Sequence, residues 1–115
     1  MPTNCPIAFD LMVTIVNRGF AEEVMRAAKS AGAEGGTIIY ARGTGIHEHA
    51  KLFGISIEPE KEIVLTLVER AMTKQVLDTV VEALELDKPG KGIAFILAVE
   101  SVAGICHLPV AGKAE

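Results

Sequence analysis

Lys88-Pro89-Gly90-Lys91-Gly92 leads directly into the apolar run Ile93 to Val99, and this stretch decides the fold. Proline and glycine interrupt regular structure, so the sequence predicts a tight loop between a helix and a strand. Such a loop frees backbone N–H groups to point outward beside the lysine ammonium groups. That combination suits an anion, above all a phosphate. The spacing of a P-loop is absent, and an ordinary turn with solvated lysines fits the same residues, so both interpretations stay open.

A second glycine turn, Arg42-Gly43-Thr44-Gly45, follows the strand-like run Thr37 to Ala41. A glycine-permitted bend at a strand end explains this turn equally well, because Gly-x-Gly alone is weak evidence for a site. Arg42 could pair with a phosphate, as arginine often does with planar anions, or lie on the surface. The hypothesis is that this turn and the 88–92 loop meet across a subunit boundary and hold a nucleotide.

Apolar periodicity divides the rest of the chain into strands and helices. Alternation predicts four strands, at Ile7–Val16, Thr37–Ala41, Glu62–Arg70 and Ile93–Glu100. A 3.6-residue period predicts one helix from Phe20 to a C-terminal Gly32, and another from an N-cap at Thr73 to Pro89–Gly90. The stretch from Ile46 to Glu60 has no steady period and is predicted to be a long loop, which is more often functional than decorative.

The βαββαβ order predicts an α+β, ferredoxin-like sandwich: a four-stranded antiparallel sheet with both helices on one face. The other face would then lie open. Its predicted residues are Met12, Val16, Val64, Val68, Ala94, Ile96 and Ala98. This set is too apolar to face water, so the pattern indicates a homo-oligomer that packs these faces together.

Composition limits the class of protein. A chain of 115 residues fits a single domain, and a net charge of −4 with a pI near 5.4 argues against a nucleic-acid partner. No apolar run approaches the ~20 residues that span a bilayer, and no basic leader precedes the first strand, so we expect a cytoplasmic protein. Cys5 and Cys106 are expected to remain thiols there.

Three motifs flank predicted strands along the chain. Gly35-Gly36-Thr37 lies at the start of the second strand, Ala41 to Gly45 at its end, and Lys88 to Phe95 at the start of the last strand. In that order the chain resembles the PII family of nitrogen-regulatory signal-transduction proteins, from about Ile7 to Ile105. The resemblance implies a homotrimer with an adenine nucleotide (ATP, ADP or AMP) in each inter-subunit cleft, which Mg²⁺ could accompany. It also implies a non-enzymatic role in which a T-loop at about 42–60 docks on an enzyme, a regulator or a membrane transporter, and it leaves a flexible tail at 106–115.

The resemblance and the two turns together give candidate sites. Thr37 takes the position that reaches the adenine in the family, and Val64 lies on the strand that lends backbone groups to the base. The candidate nucleotide-binding residues are Thr37, Arg42, Gly43, Thr44, Gly45, Val64, Lys88, Gly90, Lys91 and Gly92. The candidate partner-binding residues of the loop are Ile46, His47, Glu48, His49, Lys51 and Phe53.

Departures from the family pattern predict an atypical member. The usual Gly-Asp-Gly-Lys is replaced by Gly90-Lys91-Gly92-Ile93, and Gly104 and Cys106 stand where paired arginines are usual. Two or three charge-assisted bonds of about 1.5–3 kcal/mol each are therefore missing, which makes ADP or AMP as good a candidate as ATP. The loop is short for a T-loop, and Tyr40 lies in the strand, so no acceptor for uridylylation is evident.

Two rival functions remain. His47-Glu48-His49 could ligate a metal, but an extended His-x-His supplies two ligands where a site needs three or four; no metal is therefore predicted and these histidines stay the minor alternative. The other rival is an assembly module that holds no ligand. No catalytic constellation is evident, because the sequence neighbours Cys106 and His107 do not make a matched nucleophile and base.

Overall fold

A computed structural model describes residues 5–45, 51–52, 55–56 and 58–106. Its elements are β1 (Phe9–Asn17), α1 (Ala21–Ser30), β2 (Thr37–Arg42), β3 (Lys51–Leu52), β4 (Ile55–Ser56), β5 (Glu60–Glu69), a 3₁₀ turn (Arg70–Met72), α2 (Thr73–Leu84) and β6 (Gly92–Ala98). The four predicted strands are present, with ends displaced by two residues at most. Part of the predicted long loop is regular, because β3 and β4 form a short antiparallel ribbon.

The main sheet has the order β2-β5-β1-β6, and every neighbouring pair is antiparallel. The central strand β1 sets the register: Val13 lies opposite Leu65 on one side and Phe95 on the other. The predicted α+β ferredoxin-like fold, with both helices on one face, is confirmed. Among the described residues, no helix is long and apolar enough to cross a membrane.

The prediction of which sheet face lies open is wrong. Met12, Val16, Val64 and Val68 are buried, and they pack under the helices against Val24, Ala27, Ala28, Val76, Val80 and Leu84. The other face carries the alternate residues Leu11, Val13, Ile15, Ile39, Ile63, Leu65, Leu67, Ile93, Phe95 and Leu97, which we call the open face. Both sets are apolar, so alternation groups residues by face without telling which face the helices cover.

Helix α1 is capped from outside at its start and by glycine at its end. The buried Glu62 of β5 accepts hydrogen bonds from the N–H groups of Gly19 (3.0 Å) and Ala21 (2.9 Å), where a carboxylate complements the helix dipole. At the other end the N–H of Gly32 donates to Lys29 and that of Ala33 to Ala28, which is a Schellman motif with Gly32 at φ 122°. The predicted role of Gly32 is confirmed.

Both predicted ends of α2 are wrong. Thr73 lies within the helix, after the 3₁₀ turn, and its hydroxyl donates to the Oδ2 of the buried Asp10 at 2.7 Å rather than capping the helix. Asp10 also accepts from Arg70 Nε at 3.0 Å, which ties the turn to β1. The helix stops at Leu84 because Glu85 adopts a left-handed conformation with φ 56°. Pro89 and Gly90 therefore lie in a separate turn.

The two cysteines form a disulfide, so the expectation of free thiols is wrong. Their Cα atoms lie 5.3 Å apart although 101 positions separate them in sequence. The physical reason is the pairing of β1 with β6, in which Asp10 lies opposite Ala98. The segment before β1 and the segment after β6 therefore leave the sheet at the same end.

Candidate functional site

A cleft of about 700 Å³ opens at one end of the sheet and is lined by both predicted glycine turns. Strand pairing brings them together: Ile15 lies opposite both Ile63 and Ile93, and Arg42 lies opposite Glu60. The end of β2 and the start of β6 therefore reach the same sheet edge. The two turns of a single chain therefore line the same cleft, and their meeting across a subunit boundary stays a prediction.

Most of the candidate nucleotide-binding residues line this cleft: Arg42, Gly43, Thr44, Gly45, Lys88, Gly90 and Gly92. The structure places three others outside the lining. Thr37 lies in β2 opposite Leu65, and the side chain of Val64 is buried under the helices. Lys91 is exposed, with its ammonium group directed to Glu85 at 3.8 Å.

The sequence prediction missed several lining residues. Ile63, one position from Val64, lies on the cleft side of β5 together with Lys61, and Ile15, Leu86 and Ile93 complete an apolar wall. Strand alternation could have placed Lys61 and Ile63 on one face, once the open face was known. No sequence signal singles out Leu86 and Asp87, because they belong to the turn that follows α2.

The cleft combines this apolar wall with a cationic rim. Arg42, Lys61 and Lys88 line it alongside the carboxylate of Asp87. An apolar wall suits a flat, weakly polar group such as a nucleobase, and the rim with its glycine turns suits an anion. The donor set therefore fits a nucleotide, and Asp87 is one oxygen ligand that a Mg²⁺ ion could use.

Gly92 is required by space as well as by backbone conformation. Its φ is +138°, and a Cβ there would lie 2.6 Å from the carbonyl oxygen of Ile15, 3.1 Å from Val16 Cγ1 and 3.3 Å from Leu86 Cδ2. Gly90 also has a positive φ, +79°, but a Cβ there would meet no atom within 4 Å. The two glycines of the turn therefore serve different needs: Gly92 permits close packing on β1, and Gly90 permits the bend.

Asn17, at the end of β1, joins two sides of the cleft. Its Nδ2 donates to the carbonyl of Gly90 at 3.0 Å, and its Oδ1 accepts from Lys61 Nζ at 2.6 Å. One amide thus fixes both the 88–92 turn and a cation of the rim. The sequence predicted Asn17 only as the end of a strand, since a side chain that bridges distant residues leaves no local pattern.

Glu85 forms ion pairs with both lysines of the 88–92 turn. Its carboxylate lies 2.7 Å from Lys88 Nζ and 3.8 Å from Lys91 Nζ. The hydrogen bond and charge of Lys88, followed by the charge of Lys91, lower the pKa of Glu85, and Glu85 in turn raises the pKa of Lys88. Arg42 differs, since within the described ranges its guanidinium forms no ion pair.

The base of the 42–60 loop is closed by contacts beside the cleft. The N–H of Gly43 donates to the carbonyl of Pro59 at 3.1 Å, and Arg18 pairs with Glu60. Four candidate partner-binding residues, Ile46, His47, Glu48 and His49, lie outside the described residues, as does Phe53, and Lys51 is described by its backbone in β3. The histidine metal alternative lies there too. Elsewhere, the described residues contain no group of three or more potential metal ligands.

Comparisons with known proteins agree with this fold. The family profile described as nitrogen regulatory protein P-II matches residues 10–107. No curated protein sequence matches the chain. The fold is similar to the Arabidopsis thaliana PII structure bound to citrate, with a TM-score of 0.65 and 22% identity over 84% of this chain and 80% of that one. It is also similar to the B. subtilis GlnK–ATP complex, with a TM-score of 0.60 and 17% identity over 81% of this chain and 85% of that one.

Proposed function

The chain belongs to the nitrogen regulatory protein P-II family, and on that premise we propose that it is a signalling protein that binds an adenine nucleotide in the cleft between the 42–45 and 88–92 turns. The occupied or empty cleft then selects a conformation of the 42–60 loop, which docks on a target protein in nitrogen or related metabolic regulation. The observation that carries the proposal is the meeting of both glycine turns around one apolar wall with a cationic rim.

Different walls of the cleft suit different parts of a nucleotide. The base would lie against Ile15, Ile63 and Ile93, while the phosphates would lie near Lys88 and Arg42, where turn N–H groups add donors. The solved B. subtilis GlnK of similar fold is a complex with ATP. In this chain the rim offers fewer free cations, because Glu85 pairs with Lys88 and Asn17 holds Lys61. ADP and AMP are therefore candidates equal to ATP.

The open face supports a homotrimer. Ile93 is 54% exposed, Phe95 39% and Leu97 51% in one chain, and these residues adjoin the cleft wall along β6. Apolar surface of this extent is stabilised by burial between subunits. Packing of three copies through their open faces would place a neighbouring chain beside each cleft, so that the nucleotide lies between subunits.

The loop base couples the cleft to the target. Arg42 to Gly45 both line the cleft and begin the loop, and the bond from Gly43 to Pro59 closes it. A ligand that contacts these residues in one loop conformation shifts the population toward it by its difference in affinity. The expected targets are an enzyme, a regulator or a membrane transporter, and the role is regulatory rather than catalytic.

Titration of the purified protein with ATP, ADP and AMP tests the proposal, with calorimetry and thermal shift as readouts. At least one nucleotide should bind and raise the melting temperature, as any ligand of the folded state must. Loss of a charge-assisted bond in Lys88→Ala should weaken binding by about 1.5–3 kcal/mol, roughly tenfold or more. Lys74→Ala is the matched control, since Lys74 pairs with Asp78 on the exposed side of α2. Absence of binding by all three nucleotides refutes the proposal.

A further inference from the structure

The glutamate that follows α2 occupies a backbone conformation that favours glycine. Glu85 has φ 56°, and it is the one non-glycine residue with positive φ within the described ranges. Helices commonly end on a left-handed residue, usually glycine or asparagine, which tolerate that conformation best. The left-handed backbone of Glu85 explains why the helix ends, but it does not explain why the residue is glutamate rather than glycine. We therefore look for a role in the side chain.

The side chain of Glu85 reaches both lysines of the 88–92 turn. One carboxylate oxygen lies 2.7 Å from Lys88 Nζ, and the other lies 3.8 Å from Lys91 Nζ. Lys88 lines the cleft, whereas Glu85 does not. The carboxylate thus holds the cleft's lysine from outside, in the manner that a bound phosphate oxygen would hold it from inside.

We propose that Glu85 is a resident competing anion, which a phosphate-bearing ligand must displace from Lys88 before that lysine can serve the ligand. This inference rests on the proposed function, because it concerns the same cleft. Both partners of the pair are about half exposed, at 60% for Lys88 and 49% for Glu85, so the exchange needs no unfolding. Glu85 therefore sets the affinity for anions without contacting the ligand, and an uncharged nucleoside should not sense it.

The competition has a defined direction. Exposed ion pairs contribute modestly, so removal of the carboxylate should raise anion affinity by about two- to fivefold for each lysine that it releases. Glu85→Gln removes the charge and keeps the size of the side chain. Glu85→Gly removes the charge and also suits the left-handed backbone, so this second variant should fold at least as well as the original chain.

The test is calorimetric titration of the original protein, Glu85→Gln and Glu85→Gly with ADP, pyrophosphate and adenosine. Glu82→Gln is the matched control: it removes the same charge from the last turn of α2, and Glu82 forms no ion pair within the described part of the chain. Both Glu85 variants should bind ADP and pyrophosphate more tightly, with adenosine unchanged and with Glu82→Gln behaving like the original protein.

Three results separate this inference from the proposed function. Unchanged or weaker binding of ADP and pyrophosphate by both Glu85 variants overturns the inference, as does an equal gain in Glu82→Gln, which would reflect net charge alone. Tighter pyrophosphate binding without any binding of ATP, ADP or AMP supports the role of Glu85 and refutes the nucleotide function. Absence of binding of pyrophosphate and of all three nucleotides in every protein overturns both.

Discussion

Gly92→Ala provides the sharpest test of the turn that forms the cleft. Gly92 lies at the start of β6, opposite Val16 of the central strand. Its φ of +138° belongs to the region that only glycine adopts readily, and holding another residue there costs about 1–3 kcal/mol. The added methyl would also lie 2.6 Å from the Ile15 carbonyl oxygen, which belongs to the backbone of β1 and cannot rotate away.

The two costs add at this position. Forcing an extra methyl into a packed site destabilises by about 1–3 kcal/mol when the surroundings shift. The expected loss for Gly92→Ala is therefore about 2–6 kcal/mol, against a total stability of about 5–15 kcal/mol for a domain of this kind. Gly90→Ala changes the same turn but meets no atom within 4 Å, so only the left-handed penalty of about 1–2 kcal/mol applies.

Urea unfolding at equal protein concentration measures both losses. Concentration must be matched because association of copies stabilises the folded state. Gly92→Ala should lower the transition midpoint about two to three times as much as Gly90→Ala, with the same denaturant slope in both. Equal losses in the two variants, or a larger loss in Gly90→Ala, would refute the claim that contact with β1 fixes the turn.

Three further predictions concern other parts of the chain. Phe95→Asp places a charge in the open face and should convert the proposed trimer to monomers in light scattering. Tyr40, 79% exposed, lies on the opposite side of the sheet, so Tyr40→Asp should leave the size of the trimer unchanged. Cys106→Ser should lower the stability by up to about 4.7 kcal/mol, the entropy of a loop of ~100 residues, and alkylation without reductant should leave Cys5 unlabelled in the original protein. In the folded chain the pKa of Glu85 lies below its ordinary value, mainly because of the hydrogen bond and charge of Lys88. The ion pair therefore stabilises the fold at neutral pH, and this stabilisation is lost as the pH falls through the lowered pKa. In Lys88→Ala, NMR titration should find the pKa of Glu85 moved back toward 4.5. An unmoved pKa would contradict the pairing, as an unchanged assembly or a reactive native Cys5 would contradict the other two.

The sequence was sufficient to predict the fold because the apolar periodicity and the positions of glycine and proline indicate the same helices and strands. Alternation located the strands, and the glycine at position 32 located the end of α1. The prediction of the open face was wrong because the two faces are equally apolar. Val13 lies on the open face and Val16 under the helices, and only the packing of the helices distinguishes them. The predicted ends of α2 were wrong for a related reason. The hydroxyl of Thr73 donates to Asp10, which is distant in sequence, and Glu85 adopts a left-handed backbone conformation, and local propensity predicts neither.

The candidate site was predictable where backbone shape determines it and not where long-range contacts do. The glycine turns at 42–45 and 88–92 stand out in the sequence because few other residues permit such bends. Asn17 and Lys61 do not stand out, since their hydrogen bond joins positions 44 apart. The disulfide was missed in the same way: antiparallel pairing of β1 with β6, rather than any spacing of cysteines, brings Cys5 and Cys106 together.

Sequence and structure together describe the charged residues of the cleft. In the sequence, Lys91 stands where the usual family turn has an acid, but the usual lysine and the paired arginines are missing, so fewer phosphate-pairing cations are predicted. The structure adds to that loss, because Glu85 supplies a carboxylate to Lys88 and Lys91 from the preceding helix end. Among the described residues, Arg42 lines the cleft without an ion pair. A ligand with one or two phosphates needs fewer cations than one with three, so this distribution of charge keeps AMP and ADP as candidates equal to ATP.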